Sequence, residues 1–141
     1  FIPITRLYSQ MVSKKPHKKL KMPAVTYQDP CHLGRYAKEY VAPRQVIAAL
    51  GLELKEMWRT RHNSLCCGSG GGVLFNKPAL AKRYAANRWE EAKATGARVM
   101  ITACPFCTIN LNASKPKGLS VVDLTSLMAE AFGYKRKAVA R

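Results

Sequence analysis

The sequence predicts an α/β fold, a layered domain built around a mostly parallel sheet. Short apolar segments of strand type alternate with amphipathic segments of helical period along most of the chain, an order typical of parallel strands covered by helices. Glycines and prolines stand at the borders between these segments. The length of 141 residues and the hydrophobic content of 48% are enough for one domain with a buried core.

The first 23 residues are predicted to form a helical lead-in and a basic linker. Apolar side chains recur at helical spacing over residues 4–15. Pro16 and Pro23 interrupt the lysine-rich segment that follows. We therefore expect the domain itself to span residues 24–133, with a basic tail over 134–141.

The first half of the predicted domain contains two strands and one helix. Residues 24–27 form a buried apolar strand, and residues 43–50 form a helix with Pro43 in its first turn and Gly51 after its end. Residues 52–58 alternate between apolar and polar side chains, which predicts a second strand with one buried face.

The second half begins with a loop at the glycine run and continues as helix, strand, helix, strand and helix. The predicted ranges are 68–72 for the loop, then 78–95, 98–102, 104–113, 119–122 and a last helix that ends at Gly133. The apolar face of the first of these helices carries Ala81, Tyr84, Ala85, Trp89 and Ala92. Thr125 is predicted to cap the last helix.

The five cysteines follow the predicted strands. Cys31 comes after the first strand, Cys66 and Cys67 after the second, and Cys104 after the third, with Cys107 three residues later. Because ligands of such sheets bind beyond the carboxyl ends of the strands, three loops can bring all five sulfurs together. The placement predicts one common site.

The start of the chain and its cysteine usage predict its compartment. No secretory signal pattern is present, so we expect a reducing compartment in which cysteines are metal ligands or catalytic groups. The predicted location is cytoplasmic, with the cytoplasmic face of a membrane complex as a second option. The start at Phe1 also suggests a portion of a longer protein.

Three kinds of site remain open for these thiols. Five soft ligands favour zinc or an iron–sulfur cluster over hard cations. A structural zinc takes four ligands, and the adjacent Cys66 and Cys67 fit two neighbouring vertices badly, so a multi-iron cluster is favoured over a zinc-stabilised docking domain. A dithiol–disulfide enzyme using Cys104 and Cys107 is the third option, since their spacing and position before a helix are typical of redox motifs.

Residues around the cysteines are candidates for supporting roles. Gly68, Gly70 and Gly71 are predicted to let the backbone approach the cluster and to donate N–H groups to sulfur. His32, beside Cys31, is the candidate catalytic residue, as a proton donor to a released thiol. Nearby arginines are candidates for offsetting thiolate charge or holding an anionic substrate. They are Arg35, Arg59 and Arg61.

The net charge of +16 predicts an anionic partner. Twenty-four Lys and Arg residues stand against eight Asp and Glu residues, an excess that attracts acidic electron-transfer proteins, anionic membrane surfaces or polyanions. The basic runs at 14–21 and 135–137 lack the interleaved aromatic residues of a base-stacking surface, so we do not expect nucleic-acid binding.

Three segments resemble the cysteine-rich CCG domain found in the B-type and D-type subunits of heterodisulfide reductases. They are Asp29-Pro30-Cys31-His32-Leu33-Gly34-Arg35, Asn63-Ser64-Leu65-Cys66-Cys67-Gly68-Ser69-Gly70-Gly71-Gly72 and Thr102-Ala103-Cys104-Pro105-Phe106-Cys107. The family also includes iron–sulfur subunits of glycolate, lactate and glycerol-3-phosphate oxidoreductases. The resemblance runs from about Val25 to Phe132.

The resemblance implies a non-cubane [4Fe-4S] cluster bound by all five cysteines. In heterodisulfide reductases such a cluster faces the disulfide substrate, whereas in other members it relays electrons towards quinone or a membrane partner. Members usually carry two copies of the motif, and this chain resembles the C-terminal copy. The implied partners are therefore a second CCG domain or other redox subunits.

Overall fold

The computed structural model describes residues 1–134, and the predicted basic tail lies outside the described residues from position 135 onwards. The helices are α1 (Ile4–Lys14), α2 (Val41–Ala49), α3 (Val73–Asn76), α4 (Pro78–Ala94), α5 (Pro105–Ala113) and α6 (Leu124–Ala131). The strands are β1 (Val25–Gln28), β2 (Val99–Thr102) and β3 (Ser120–Asp123). A π-helical turn spans His32–Tyr36, and a 3₁₀ turn spans Arg61–Asn63.

The three strands form one parallel sheet in the order β1-β2-β3. Gln28 at the end of β1 lies opposite Thr102, which in turn lies opposite Asp123. All three strands therefore end at the same edge, and the segments that follow them start side by side. The predicted α/β fold with a parallel sheet is confirmed.

Helices cover both faces of the sheet. Tyr27 and Ile101 pack against α1, α2 and α6 on one face, while Met100 packs against α4 and α5 on the other. Burial on both faces explains why β1 and β2 are fully buried, near-continuous apolar runs. Cys67 and Cys107 belong to the second of these cores, so the site is built into the packed layer of α4 and α5.

The predicted strand over 52–58 is wrong. Only Leu54 bridges to the sheet, because the N–H of Val25 donates to Glu53 O at 2.8 Å and the N–H of Lys55 donates to Val25 O at 2.8 Å. A regular strand would bury Trp58 on the same face as Leu54, since side chains repeat every second residue. Trp58 is 86% exposed and Met57 is buried instead, so the alternation breaks after one bridge.

Two further details of the helices differ from the predictions. Tyr84 is expected on the buried face of α4, but it is exposed, and Arg88 occupies the buried face in addition to the predicted alanines and Trp89. The cap of α6 is Asp123, whose Oδ1 accepts the N–H of Thr125 at 2.8 Å. Because β3 runs directly into α6, the last strand residue is also the cap, and Thr125 lies inside the helix.

Membrane-crossing helices were predicted to be absent from the chain. None of the helices within residues 1–134 combines the length and the hydropathy that crossing a bilayer requires.

Candidate functional site

A cavity of about 240 Å³ lies beyond the carboxyl ends of β1 and β2. Four cysteines line it, namely Cys31, Cys67, Cys104 and Cys107, together with His32. Its remaining wall consists of Ser69, Gly70, Gly71, Gly72, Phe75 and Phe106. Cys66 precedes Cys67 directly, and its Sγ accepts the N–H of Gly68 at 3.3 Å. The structure thus places the predicted cysteines at one end of the sheet.

Cys31 is presented by the π-helical turn that follows β1. Gly34 N–H donates to Pro30 O at 2.8 Å, and Ala37 N–H donates to His32 O at 3.0 Å. The second bond spans five residues and widens the turn, a local geometry that is frequent at functional sites. His32 lies beside the sulfur, with Nδ1 3.6 Å from Cys31 Sγ.

Asp29 ties the end of β1 to the segment that leads to Cys66. Its buried carboxylate accepts two hydrogen bonds from the Arg44 guanidinium, at 2.8 and 2.9 Å, and one from the N–H of Arg61 at 2.8 Å. Burial alone would lower the pKa of Arg44, but hydrogen bonds to Asp29 and Glu56 outweigh it and raise that pKa. The pair is a charged anchor close in sequence and space to the Cys31 turn.

Side chains from distant elements hold the loop that carries Cys66 and Cys67. Gln28 Nε2 donates to Leu65 O at 3.0 Å, and Asn110 Nδ2 donates to Cys67 O at 2.6 Å. Asn110 also donates to Ala81 O at 3.0 Å, which joins α4 and α5 to the loop. Both amides are buried, so the loop backbone is fixed on either side of Cys66.

The three arginines predicted near the site have different positions. Arg35 donates from Nη2 to Ser64 O, linking the Cys31 turn to the segment before Cys66. Arg59 pairs with Glu91 of α4. Arg61 is an exposed residue with φ of +56° whose backbone N–H reaches Asp29. Of the three, Arg35 acts most directly on the loops that carry the cysteines.

Gly68 and Gly71 have different surroundings. A Cβ on Gly68 would lie 2.7 Å from Tyr84 Cβ and 2.8 Å from Ala81 O, and φ at this residue is +89°. Gly68 therefore permits close packing on α4, and its N–H also reaches sulfur as the sequence predicts. Gly71, with φ of +62°, and Gly70 lie in the cavity wall, where an added Cβ would meet nothing within 4 Å.

The thiols of the cavity share protons. Hydrogen bonds from the Cys107 and Cys66 thiols, opposed by burial, lower the pKa of Cys67 to about 3. A hydrogen bond from Cys107, again opposed by burial, lowers the pKa of Cys104 to about 6, helped by the N–H groups of Cys107 and Phe106. The pKa of Cys66 and that of Cys107 are raised, because both donate to neighbouring sulfurs and are desolvated.

The donor set fits a soft metal group of several atoms. Two thiolates stand beside two protonated thiols at neutral pH, and thiolates are preferred ligands of zinc and of iron–sulfur clusters. Among the described residues, no three His, Cys, Asp or Glu side chains converge on one point as a single ion requires. The sulfurs are spread over the wall of the cavity instead.

Comparison with known proteins identifies relatives over most of the chain. One subunit, of D type, of the dihydromethanophenazine:CoB–CoM heterodisulfide reductase of Methanosarcina mazei is 41% identical over 117 residues, which are 80% of this chain and 29% of the relative. A probable membrane-anchored ferredoxin of Chromohalobacter salexigens is 40% identical over 77% of this chain and 17% of its own length.

A third relative is a probable iron–sulfur-binding oxidoreductase of Bacillus subtilis, 34% identical over 76% of this chain and 16% of its own length. The chain thus spans less than a third of each of these relatives. The model of the CCG cysteine-rich domain matches residues 25–112, which include every cysteine and the glycine run. This chain belongs to the CCG family of cysteine-rich domains.

Proposed function

We propose that this chain is an iron–sulfur redox domain of a heterodisulfide reductase-like oxidoreductase. The observation that carries the proposal is the cavity at the sheet edge, where four cysteine sulfurs share one wall with the fifth cysteine adjacent. Relatives named as a heterodisulfide reductase subunit and as an iron–sulfur-binding oxidoreductase support it.

All five cysteines would hold the group, a non-cubane [4Fe-4S] cluster. When bound, such a cluster supplies reversible electron transfer. Cys67 and Cys104 are predisposed to bind metal, because their lowered pKa values make them thiolates before any metal arrives. Binding would also release the protons that Cys66 and Cys107 hold.

Phe75 and Phe106 limit access of water to the sulfurs. Both rings stand in the cavity wall and both are exposed on their outer side, with Phe75 75% exposed and Phe106 48% exposed. An apolar rim lowers the local polarity around the thiolates. The same rim offers a surface for a second CCG domain or another redox subunit, and the much greater length of the relatives is consistent with such a neighbour.

We propose reduction of a disulfide as the reaction of the complete protein. Cleavage of one S–S bond consumes two electrons and two protons and yields two thiols. The imidazole of His32 is placed to hold a proton next to Cys31 Sγ, and its ring lies 5.2 Å from that of Tyr36. The relative named as a heterodisulfide reductase subunit supports this reaction class.

A second candidate is electron relay without substrate chemistry. The relative named as a membrane-anchored ferredoxin favours this role, and so does the charge of +16, which suits docking to an acidic carrier or an anionic membrane. The electron acceptor would then be a quinone or another redox subunit, as in glycolate or lactate oxidoreductases.

Anaerobic purification followed by metal and sulfide analysis tests the proposal. We expect a brown protein with about four irons and acid-labile sulfide per chain. Cys31→Ser and Cys66→Ser should each change the paramagnetic resonance signal, because each removes one ligand. Ser114→Ala, at a residue outside the cavity wall, is the control.

Other outcomes would identify the alternatives. A colourless protein with one zinc would indicate the docking domain. A metal-free protein in which Cys104 and Cys107 alone titrate as a redox pair would indicate the dithiol enzyme. An unchanged signal in both Cys→Ser variants would show that fewer than five cysteines bind the cluster.

Adding the coenzyme M–coenzyme B heterodisulfide to the reduced protein separates catalysis from relay. If the domain acts on disulfides, the spectrum changes and thiols appear, and His32→Ala slows thiol release without loss of iron. His62→Ala is the matched control, since His62 is an exposed histidine in the 3₁₀ turn. Reoxidation by a quinone or a partner protein, with no response to disulfides, would support the relay and rule out the disulfide reaction.

A further inference from the structure

Arg88 is a fully buried cation on the face of α4 that packs under the cysteine loops. Its exposed fraction is 0%. The residues on either side of it along this face are Ala85, Trp89 and Ala92, which belong to the same apolar core as Cys67 and Cys107. A charged side chain in such a layer is costly unless its partners compensate it.

The guanidinium of Arg88 has partners for two of its three nitrogens. Nε donates to Gln28 Oε1 at 2.5 Å, and Nη1 donates to Arg59 O at 3.0 Å and to the carboxylate of Glu91. Within residues 1–134 the buried Nη2 has no hydrogen-bond partner. One side of this cation is thus left to interact with charge that lies beyond direct hydrogen bonding.

Two observations connect Arg88 to the cysteines. The amide of Gln28 accepts from Arg88 and donates to Leu65 O, the residue immediately before Cys66. In addition, burial lowers the pKa of Arg88, whereas the negative charges of Glu91 and Asp29 and the thiolate form of Cys107 favour its protonated state. Arg88 is therefore linked to the Cys66–Cys67 loop by hydrogen bonds and to Cys107 by electrostatics.

We propose that Arg88 is a positioning residue of the cysteine site, which fixes the Cys66–Cys67 loop through Gln28 and provides a buried positive charge behind the thiolates. This role rests on the proposed iron–sulfur function. A fixed positive charge in a low-dielectric layer stabilises the more negative, reduced state of a cluster. Arg88 thereby raises the reduction potential of the group that the five cysteines hold.

Three substitutions separate the geometric role from the electrostatic one. Arg88→Met keeps most of the length but removes the charge and the hydrogen bonds, so the midpoint potential should become more negative and iron retention should fall about tenfold. Arg88→Lys keeps the charge but loses the planar fork, so iron retention should fall while the potential stays near that of the native protein. Arg83→Met removes an exposed arginine of the same helix and should change neither quantity.

The failure of Arg88 as a positioning residue is distinguishable from the failure of the iron–sulfur function. A native protein without iron and sulfide would overturn both. A native protein with its cluster, together with an Arg88→Met potential equal to that of Arg83→Met, would overturn the role of Arg88 alone. If Arg88→Met does not fold, Arg88→Lys decides: weaker iron retention at an unchanged potential supports the role, and native retention overturns it.

Discussion

Gly68 brings the Cys66–Cys67 loop into close contact with α4. A Cβ at this residue would overlap Tyr84 Cβ and Ala81 O, and the second of these is backbone that cannot move aside without shifting the helix. The positive φ of +89° adds a conformational cost for any L side chain. Loop and helix can approach this closely because residue 68 has no side chain.

Gly68→Ala should therefore destabilise the protein more than the same change at another left-handed glycine. The strain of the left-handed conformation costs about 1–2 kcal/mol, and the overlap with α4 adds to it. Gly118→Ala is the matched control, because φ there is +79° and an added Cβ meets nothing within 4 Å. Urea unfolding of both variants measures the difference in the free energy of unfolding, and equal losses would contradict the packing role of Gly68.

The cysteines are predictable from sequence, whereas the residues that hold them in place are not. Thiol chemistry and the position of Cys31 and Cys104 after apolar strands point to one site. Gln28, Asn110 and Arg88 have no comparable signal, because an amide or a guanidinium gains its role from partners that only the tertiary structure brings near. Their spacing along the chain contains no information about the carbonyl groups that they contact.

At the scale of elements, periodicity predicts the long helices and the three strands of the sheet to within a few residues. The clearest case is α4, predicted over 78–95 and observed over Pro78–Ala94. Proline in its first turn and Gly96 after its end mark both borders. The strands β1 and β2 are recognisable because they are buried on both faces and therefore rich in apolar residues.

Short elements escape prediction because they differ from loops by one or two hydrogen bonds. The π-helical turn at His32–Tyr36 and the one-turn helix α3 fall within segments that have no apolar period. The segment 52–58 shows the opposite error. Its alternation covers Leu52 to Glu56, but the pairing to β1 is limited to Leu54, so a pattern of a few residues predicts more strand than forms.

At the scale of the whole molecule, the charge excess dominates the surface because most acids are already paired. Asp29, Glu39 and Glu91 are bound to arginines. The other paired acids are Glu53, Glu56 and Glu90. Little negative charge remains to offset the exposed lysines of the described residues, so an acidic partner would meet a field of one sign.

The segment after α1 is a candidate for the docking surface. Lys14, Lys15 and Lys18 are exposed, and none of them forms an ion pair within the described chain. The segment is anchored, since Val12 and Leu20 are buried in the core and Lys18 N–H donates to Ala131 O at 2.9 Å. The charges therefore stand on a fixed backbone and can orient a partner.

Replacing Lys14, Lys15 and Lys18 by glutamate should slow electron delivery from an acidic ferredoxin about tenfold at low salt, because steering depends on the local field. The difference should shrink as added salt shortens the screening length to about 8 Å. A control variant with Lys82, Arg83 and Lys117 replaced by glutamate has the same net charge, but its changes lie at exposed positions elsewhere. Stopped-flow rates over a salt series compare the two.

The pair of variants separates a local docking surface from a general effect of net charge. Equal slowing in both variants would show that the total charge matters and that the segment after α1 has no special role. Rates that do not respond to salt or to either variant would exclude electrostatic docking to an acidic carrier. Binding of the native protein to vesicles of anionic phospholipid, lost in the first variant and kept in the control, would instead assign the same surface to a membrane.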